Sequence, residues 1–247
     1  MKTFLHTQKP MLVGMLRSTT KAELLAEIKS LRAQGADAYG FQLESMEPEM
    51  RTRESLAEVF AEMDDLPVYA TNYMRCNKQE KTWDELAEEM ITLAELGATI
   101  IDIPGDMFAT AAYELTYDKE AIEKQKALID RIHAMGKEVL ISSHALAPLT
   151  SEAVLTFAKE HVARGADVSK IVTVANTEAE EDEAFRSLAL LKQTGIPFLY
   201  LVVGERQRKH RVFGPVLGCS LYLCTEHKEE VAQPPIAEAK AILDYYE

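Results

Sequence analysis

The chain alternates eight times between a short apolar run and a longer segment, roughly every 30 residues. Uninterrupted apolar strands separated by amphipathic segments are typical of a parallel sheet covered by helices. Eight such units in 247 residues predict an α/β fold, a closed (β/α)8 or TIM barrel. The predicted strands are Met11–Met15, Tyr39–Leu43, Pro67–Thr71, Ile100–Ile103, Val139–Ser142, Val168–Val174, Pro197–Val203 and Ser220–Cys224.

The segments between the strands carry apolar residues at helical spacing. Four of the helical patterns end in glycine, which takes the left-handed position that terminates a helix. The seventh helix has the weakest signal, because Glu205–Arg211 is highly charged and Val212–Leu217 is short. No linker or low-complexity tract divides residues 1–247, which favours one domain. The predicted helices are Lys21–Gln34, Thr82–Leu96, Lys119–Met135, Ser151–Arg164, Thr177–Thr194 and Pro235–Tyr246.

Composition excludes several classes of function. A net charge of −13 argues against nonspecific nucleic-acid binding, which needs a basic face. Neither a signal peptide in Met1–Pro10 nor a membrane span is expected. Three cysteines without C-x-x-C spacing favour neither a disulfide framework nor a zinc site, so a reducing cytoplasm is the simplest location. Without a G-x-G-x-x-G or Walker loop, a dinucleotide or P-loop fold is not expected.

Lys170 lies inside an apolar strand, between Val168 and Val172. Burial disfavours an ammonium and lowers the pKa of lysine, which makes the neutral amine available as a nucleophile. Lys170 is therefore a candidate for Schiff-base formation with a carbonyl substrate. The alternative is a strand-end lysine whose amine reaches solvent.

Polar residues follow the apolar runs at the carboxyl ends of the strands, where barrel enzymes carry their active sites. His144 follows strand five, so it should neighbour Lys170 and face the same substrate, although a structural histidine is the alternative. Arginines after strand seven favour an anionic substrate, although Arg206, Arg208 and Lys209 can equally form a solvated loop. The residues in these positions are Gln42, Glu44, Asn72, Tyr73, Arg75, Asp102, His144, Lys170, Arg206, Arg208, Arg211 and Gln233.

Four segments carry a family resemblance: Ile141–His144, Gly165–Ile171, His210–Gly214 and Ala232–Ile236. In these segments the chain resembles the type I 3-dehydroquinate dehydratases, lyases of the shikimate pathway that leads to aromatic amino acids. The lysine segment is the most specific match.

The resemblance implies roles for the residues of these segments. Lys170 would form the imine. His144 would remove a proton, protonate the departing hydroxyl and assist imine hydrolysis. Arg211 would hold the substrate carboxylate, and Gln233 would contact the substrate. The resemblance also implies a homodimer and no metal or organic cofactor.

The first half of the chain departs from the family. Where the family has Glu-x-Arg-x-Asp in strand two, this chain has Gly40–Glu44, so the glutamate and arginine that hold the substrate hydroxyls are absent. Gln42 and Arg75 are expected to line the substrate site, Arg75 after an insertion of about two residues relative to the family pattern. Gln79 would replace the glutamate that supports His144, with Asp102 or Glu44 as substitutes.

Three hypotheses remain open from the sequence. The first is a type I dehydratase that converts 3-dehydroquinate to 3-dehydroshikimate. The second is a related Schiff-base lyase or aldolase for another hydroxy-keto acid, which the altered strand two supports. The third is a non-catalytic barrel that binds a carboxylate metabolite or a protein partner, which would explain the altered support of His144.

Overall fold

The computed structural model describes residues 2–5, 9–76, 80–228 and 233–246. Its strands are β1 Met11–Met15, β2 Ala38–Gln42, β3 Val68–Thr71, β4 Ile100–Pro104, β5 Glu138–His144, β6 Val168–Val174, β7 Phe198–Val203 and β8 Leu221–Cys224. Its helices are α1 Lys21–Gln34, α2 Arg53–Glu62, α3 Trp83–Leu96, α4 Lys119–Ala134, α5 Ser151–Ala163, α6 Glu178–Thr194, α7 Gln207–Val216 and α8 Ile236–Tyr246. This alternation is the order that the sequence predicts.

The strands form one parallel sheet in the order β7-β6-β5-β4-β3-β2-β1-β8. Strand β1 pairs with both β2 and β8, so the sheet curls back on itself. Across the remaining seam, the Ser220 amide donates to the Phe198 carbonyl at 2.8 Å. The barrel is therefore nearly closed, and the prediction of a (β/α)8 fold is confirmed.

Inward side chains alternate along each strand and form layers inside the barrel. The lower layers are apolar, with Val13, Leu140 and Val168 fully buried in one cluster that also holds Phe4. Lys170 stands two residues beyond Val168, on the same face of β6. The apolar layers of the barrel interior therefore end at the carboxyl ends of the strands, where the polar layer that contains Lys170 begins.

The helices pack outside the sheet against a second large apolar cluster. The four glycines predicted to end helices all have positive φ, between 69° and 126°, at Gly35, Gly97, Gly136 and Gly165. The weakly signalled seventh helix is present as α7, and α2 adds a helix that the sequence analysis did not locate. Within the described residues no helix has the length and apolar character that crossing a membrane requires.

Candidate active site

A cavity of about 280 Å³ opens at the carboxyl ends of the strands. Residues from β1, β2, β3, β5, β6, β7 and β8 or from the loops that follow them line it. All six residues that the sequence analysis assigned to catalysis or substrate binding are among them: Gln42, Arg75, His144, Lys170, Arg211 and Gln233. The structure therefore brings together side chains that are up to 191 positions apart in the chain (Gln42 to Gln233, 233 − 42).

Lys170 is buried at the base of the cavity, only 4% exposed. On β6 it pairs in register with Ser142 of β5 and Leu199 of β7. Burial lowers the pKa of Lys170, while the nearby Asp102 carboxylate partly offsets this effect. The alternative of a solvent-reaching strand-end lysine is thereby excluded.

The Lys170 ammonium has three hydrogen-bond acceptors. Its Nζ lies 3.0 Å from Asp102 Oδ2 and 2.9 Å from Tyr69 OH, and it also contacts Tyr73 OH. Both phenols donate to the same oxygen of Asp102, Tyr69 at 2.5 Å. Three N–H groups and three acceptors match, so the ammonium is fully satisfied in the resting site.

Asp102 on β4 is completely buried. Burial raises the pKa of a carboxyl group, but here the Lys170 charge and the donated hydrogen bonds outweigh it, so the pKa of Asp102 lies below its ordinary value. Asp102 is therefore ionised, and its carboxylate is the negatively charged partner of Lys170.

His144 ends β5 and reaches the cavity beside Lys170. Its Nδ1 lies 2.6 Å from Glu114 Oε2, and its backbone amide donates to the same oxygen at 3.2 Å. Burial lowers the pKa of His144 to about 4, an effect that the Lys170 charge increases. The imidazole is thus neutral at pH 7. With Nδ1–H donated to Glu114, Nε2 carries the lone pair that can accept a proton.

Glu114 is the support of His144 that the sequence analysis missed. It lies in the loop between β4 and α4, and its Oε1 accepts from Arg75 Nη1 at 2.7 Å. Burial raises the pKa of Glu114, but the bonds to His144 and Arg75 lower it overall, so the group is ionised. Its backbone oxygen accepts from Ser143 Oγ at 2.9 Å, which ties the loop to β5.

The loop that carries Glu114 is conformationally unusual. Tyr113 and Glu114 both have left-handed backbone angles, with φ of 63° and 50°. Such angles in residues other than glycine cost about 1–3 kcal/mol each and are concentrated at functional sites. No periodicity or motif marks this position, so only the folded chain shows it.

The other expected supports of His144 have different positions. Gln79 lies outside the described residues. Asp102 contacts Lys170, and the carboxylate of Glu44 accepts from Thr71 Oγ1 at 2.9 and 3.0 Å. In the described part of the chain, the carboxylate bonded to His144 is that of Glu114.

Arg211 projects from α7 to the cavity, and its Nε donates to the Val202 carbonyl at 3.1 Å. Burial, together with the nearby charge of Arg17, lowers the pKa of Arg211 to about 10. Among the described residues, no Asp or Glu forms an ion pair with Arg211. A cation without a protein counterion at the edge of a cavity is a site for an anionic group of a ligand.

Arg17, which the sequence analysis did not select, crosses the cavity wall directly after β1. Its Nη1 donates to Gln42 Oε1 at 2.7 Å, and its Nη2 donates to Gln233 Oε1. It therefore joins the two predicted glutamines into one polar group, the β1–β2 wall, defined here as Arg17, Gln42 and Gln233.

Gly40 lies beneath this wall, where the resembled family has a glutamate. A Cβ atom built on Gly40 would overlap Sδ of Met15. Met15 thus fills the space that a side chain at position 40 would need, and a carboxylate cannot enter there without displacing it.

The remaining basic candidates lie outside the cavity. Arg206, Arg208 and Lys209 are exposed, and Lys209 Nζ pairs with Glu181 at 2.9 Å. These three side chains therefore lie in solvent, which was the alternative to binding an anionic substrate. Within the described residues, no group of three His, Cys, Asp or Glu side chains is arranged to hold a metal ion.

A sequence profile of the family described as type I 3-dehydroquinase matches residues 14–247. No significant match was found among curated protein sequences.

Solved structures of 3-dehydroquinate dehydratases share the fold. The type I enzyme from Clostridium difficile, with covalently modified comenic acid, has a TM-score of 0.81 and 16% identity, covering 97% of this chain and 93% of that one. The enzyme from Geobacillus kaustophilus has a TM-score of 0.82 and 12% identity, with coverage of 99% and 95%. That from Aquifex aeolicus has a TM-score of 0.73 and 19% identity, with coverage of 95% and 98%.

Proposed function

Since the chain belongs to the type I 3-dehydroquinase family, a family of hydro-lyases, we propose that it dehydrates 3-dehydroquinate to 3-dehydroshikimate through an imine on Lys170. The observation that carries this proposal is the buried Lys170 amine at the base of the cavity, with the neutral His144 on the adjacent strand. A non-catalytic barrel has no need for this arrangement.

The reaction begins when Lys170 transfers a proton to Asp102 and its amine attacks the ketone carbon. Loss of water from the resulting carbinolamine gives an imine, which withdraws electrons from the adjacent carbon. His144 Nε2 then removes a proton from that carbon and returns it to the departing hydroxyl, which leaves as water. Hydrolysis of the imine restores the amine, so atoms and charge balance over the cycle.

Arg211 binds the substrate carboxylate in this proposal. Of the other two cavity arginines, Arg75 pairs with Glu114 and Arg17 bonds Gln42 and Gln233, whereas the bond of Arg211 goes to a backbone carbonyl. Arg75 orients Glu114, which holds the His144 tautomer. Gln42 and Gln233 contact the substrate together with Arg17, which replaces the missing strand-two arginine from a neighbouring strand.

A second candidate is a Schiff-base lyase or aldolase for a different hydroxy-keto acid. The position of Met15 favours it, because an apolar thioether occupies the space that a hydroxyl-binding glutamate at position 40 would need. The imine chemistry at Lys170 is the same in both candidates, so only the substrate differs.

The test is intact-mass spectrometry after borohydride reduction in the presence of 3-dehydroquinate. A stable adduct is expected in the native protein and in Lys159→Ala, which removes an exposed lysine of α5, but not in Lys170→Ala. An adduct only with other hydroxy-keto acids would select the second candidate. A folded protein that traps none of them would refute imine chemistry altogether.

The family also leads us to propose a homodimer of single-domain protomers that works in the cytoplasm. Free Cys76, Cys219 and Cys224 fit a reducing compartment. Light scattering coupled to size exclusion at several concentrations tests the dimer, and a mass of one protomer throughout would contradict it.

A further inference from the structure

The Lys170 network contains two buried phenols. Tyr69 is 1% and Tyr73 4% exposed, and both line the cavity. Their hydroxyls lie 3.3 Å apart, and both contact Lys170 Nζ and Asp102 Oδ2. The mechanism so far uses neither of them.

Tyr73 lies between the two catalytic candidates. Its hydroxyl contacts Lys170, and its ring meets the His144 ring edge to face at a centroid distance of 5.2 Å. Burial, together with the Asp102 charge, raises the pKa of both phenols well above the ordinary value. Both are therefore protonated donors throughout the neutral range.

We propose that Tyr73 is a catalytic acid for imine formation at Lys170, a role that rests on the proposed Schiff-base function. The hydroxyl of a carbinolamine is bonded to the same carbon as Nζ, so a phenol in hydrogen-bond contact with Nζ also reaches that hydroxyl. Tyr73 thereby supplies a proton donor next to Lys170 Nζ that is separate from His144.

The proton balance closes within the network. Lys170 passes its proton to Asp102, attacks the carbonyl carbon and forms the carbinolamine. As the carbon–oxygen bond breaks, its electron pair leaves with oxygen, which takes the Tyr73 proton and departs as water, while the nitrogen lone pair completes the C=N bond. The Tyr73 phenolate then takes the proton held by Asp102. Tyr69, bonded to both Asp102 and Lys170, keeps this relay in place.

The experiment measures how fast the borohydride-trapped adduct accumulates in single turnovers of Tyr73→Phe. Two carbonyl probes are used: 3-dehydroquinate and 2,4-pentanedione, a small diketone that must also reach Lys170 in the cavity but has no carboxylate for Arg211 to hold. The diketone condenses to an enaminone that borohydride does not reduce, so its adduct is followed by near-ultraviolet absorbance, with Lys170→Ala as the blank. Tyr200→Phe is the matched control, because Tyr200 is equally buried and bonds Thr173 outside the network.

Tyr73→Phe should slow adduct formation about 10²-fold with both probes, while Tyr200→Phe should leave it unchanged. The loss should persist on the alkaline plateau, where the Lys170 amine is fully neutral. If the rate recovers there to within about 3-fold, Tyr73 only tunes the pKa of Lys170 and the proposal is overturned. An undiminished rate overturns it as well.

The two probes separate failure of this proposal from failure of the proposed function. If the native protein reacts with the diketone but not with 3-dehydroquinate, the substrate assignment fails, while the diketone rates still decide the role of Tyr73.

Discussion

The two sides of the cavity differ in how they relate to the family pattern. The β5–β6 side carries His144 and Lys170 at the positions that the family motifs predict. The β1–β2 wall carries Arg17, Gln42 and Gln233, and Gly40 beneath it has no side chain to offer. The β5–β6 side therefore keeps the family pattern, whereas on the β1–β2 wall Gln233 keeps it and the strand-two positions depart from it.

This difference follows from the chemistry of each side. Imine formation and proton transfer require particular groups at fixed distances around one carbon, so few alternatives exist. Holding a hydroxyl requires only a donor or acceptor in reach, and the donor can come from any neighbouring strand. An arginine that follows β1, such as Arg17, can therefore present a guanidinium to the cavity in place of one from β2.

His144→Ala should produce the largest effect among the variants that keep Lys170. The imine should still form, but elimination should slow by about 10²–10⁴-fold, because the variant loses the base that removes the proton in the proposed mechanism. Single-turnover product formation measures elimination, and the trapped adduct measures the imine. Loss of the adduct together with the product would place His144 in imine formation as well and weaken the proposed division of labour.

Glu114→Gln should reduce kcat/KM by about 10- to 100-fold. The carboxylate raises the pKa of His144 against the effect of burial, so its loss lowers that pKa below about 4 and weakens the base. Because the rate falls as pH drops through the pKa of the base, the acid limb of the kcat/KM profile should move to lower pH.

Glu123→Gln is the control for this change, because Glu123 forms only a surface pair with Lys126 on α4. Brief assays after pH jumps limit acid unfolding during the measurement. A lower plateau with an unmoved acid limb would mean that Glu114 merely holds the loop and takes no part in the chemistry of the β5–β6 side.

The sequence predicts the fold and the chemical side for the same reason: both are local. Each strand–helix unit shows its own periodicity, and Lys170 and His144 stand within strands whose neighbours are fixed by the barrel order. Arg211 and Gln233 were also selected from short segments, and both line the cavity.

Other parts of the site depend on the folded loops and could not be predicted. Glu114 reaches His144 only because two left-handed residues turn the β4–α4 loop inward. Arg17 has no neighbouring motif, and its contacts lie 25 and 216 positions away. Tyr69 looks like an ordinary residue of an apolar strand until Lys170 and Asp102 are placed around it.

Arg17→Met should have the smallest effect, and it tests whether the β1–β2 wall contributes to substrate binding. Methionine keeps the length of the side chain but removes both hydrogen bonds to Gln42 and Gln233. Because the guanidinium is solvent-exposed, its contribution is screened, and KM for 3-dehydroquinate should rise about 3- to 10-fold with kcat unchanged.

Steady-state kinetics separates the two constants, and Arg206→Met, outside the cavity, should change neither. A fall in kcat comparable to that of His144→Ala would show that the wall takes part in the chemistry, and the contrast between the two sides would be lost. An unchanged KM would mean that this wall does not contact 3-dehydroquinate, and the search for a different hydroxy-keto acid would start from the group that Arg17 can bind.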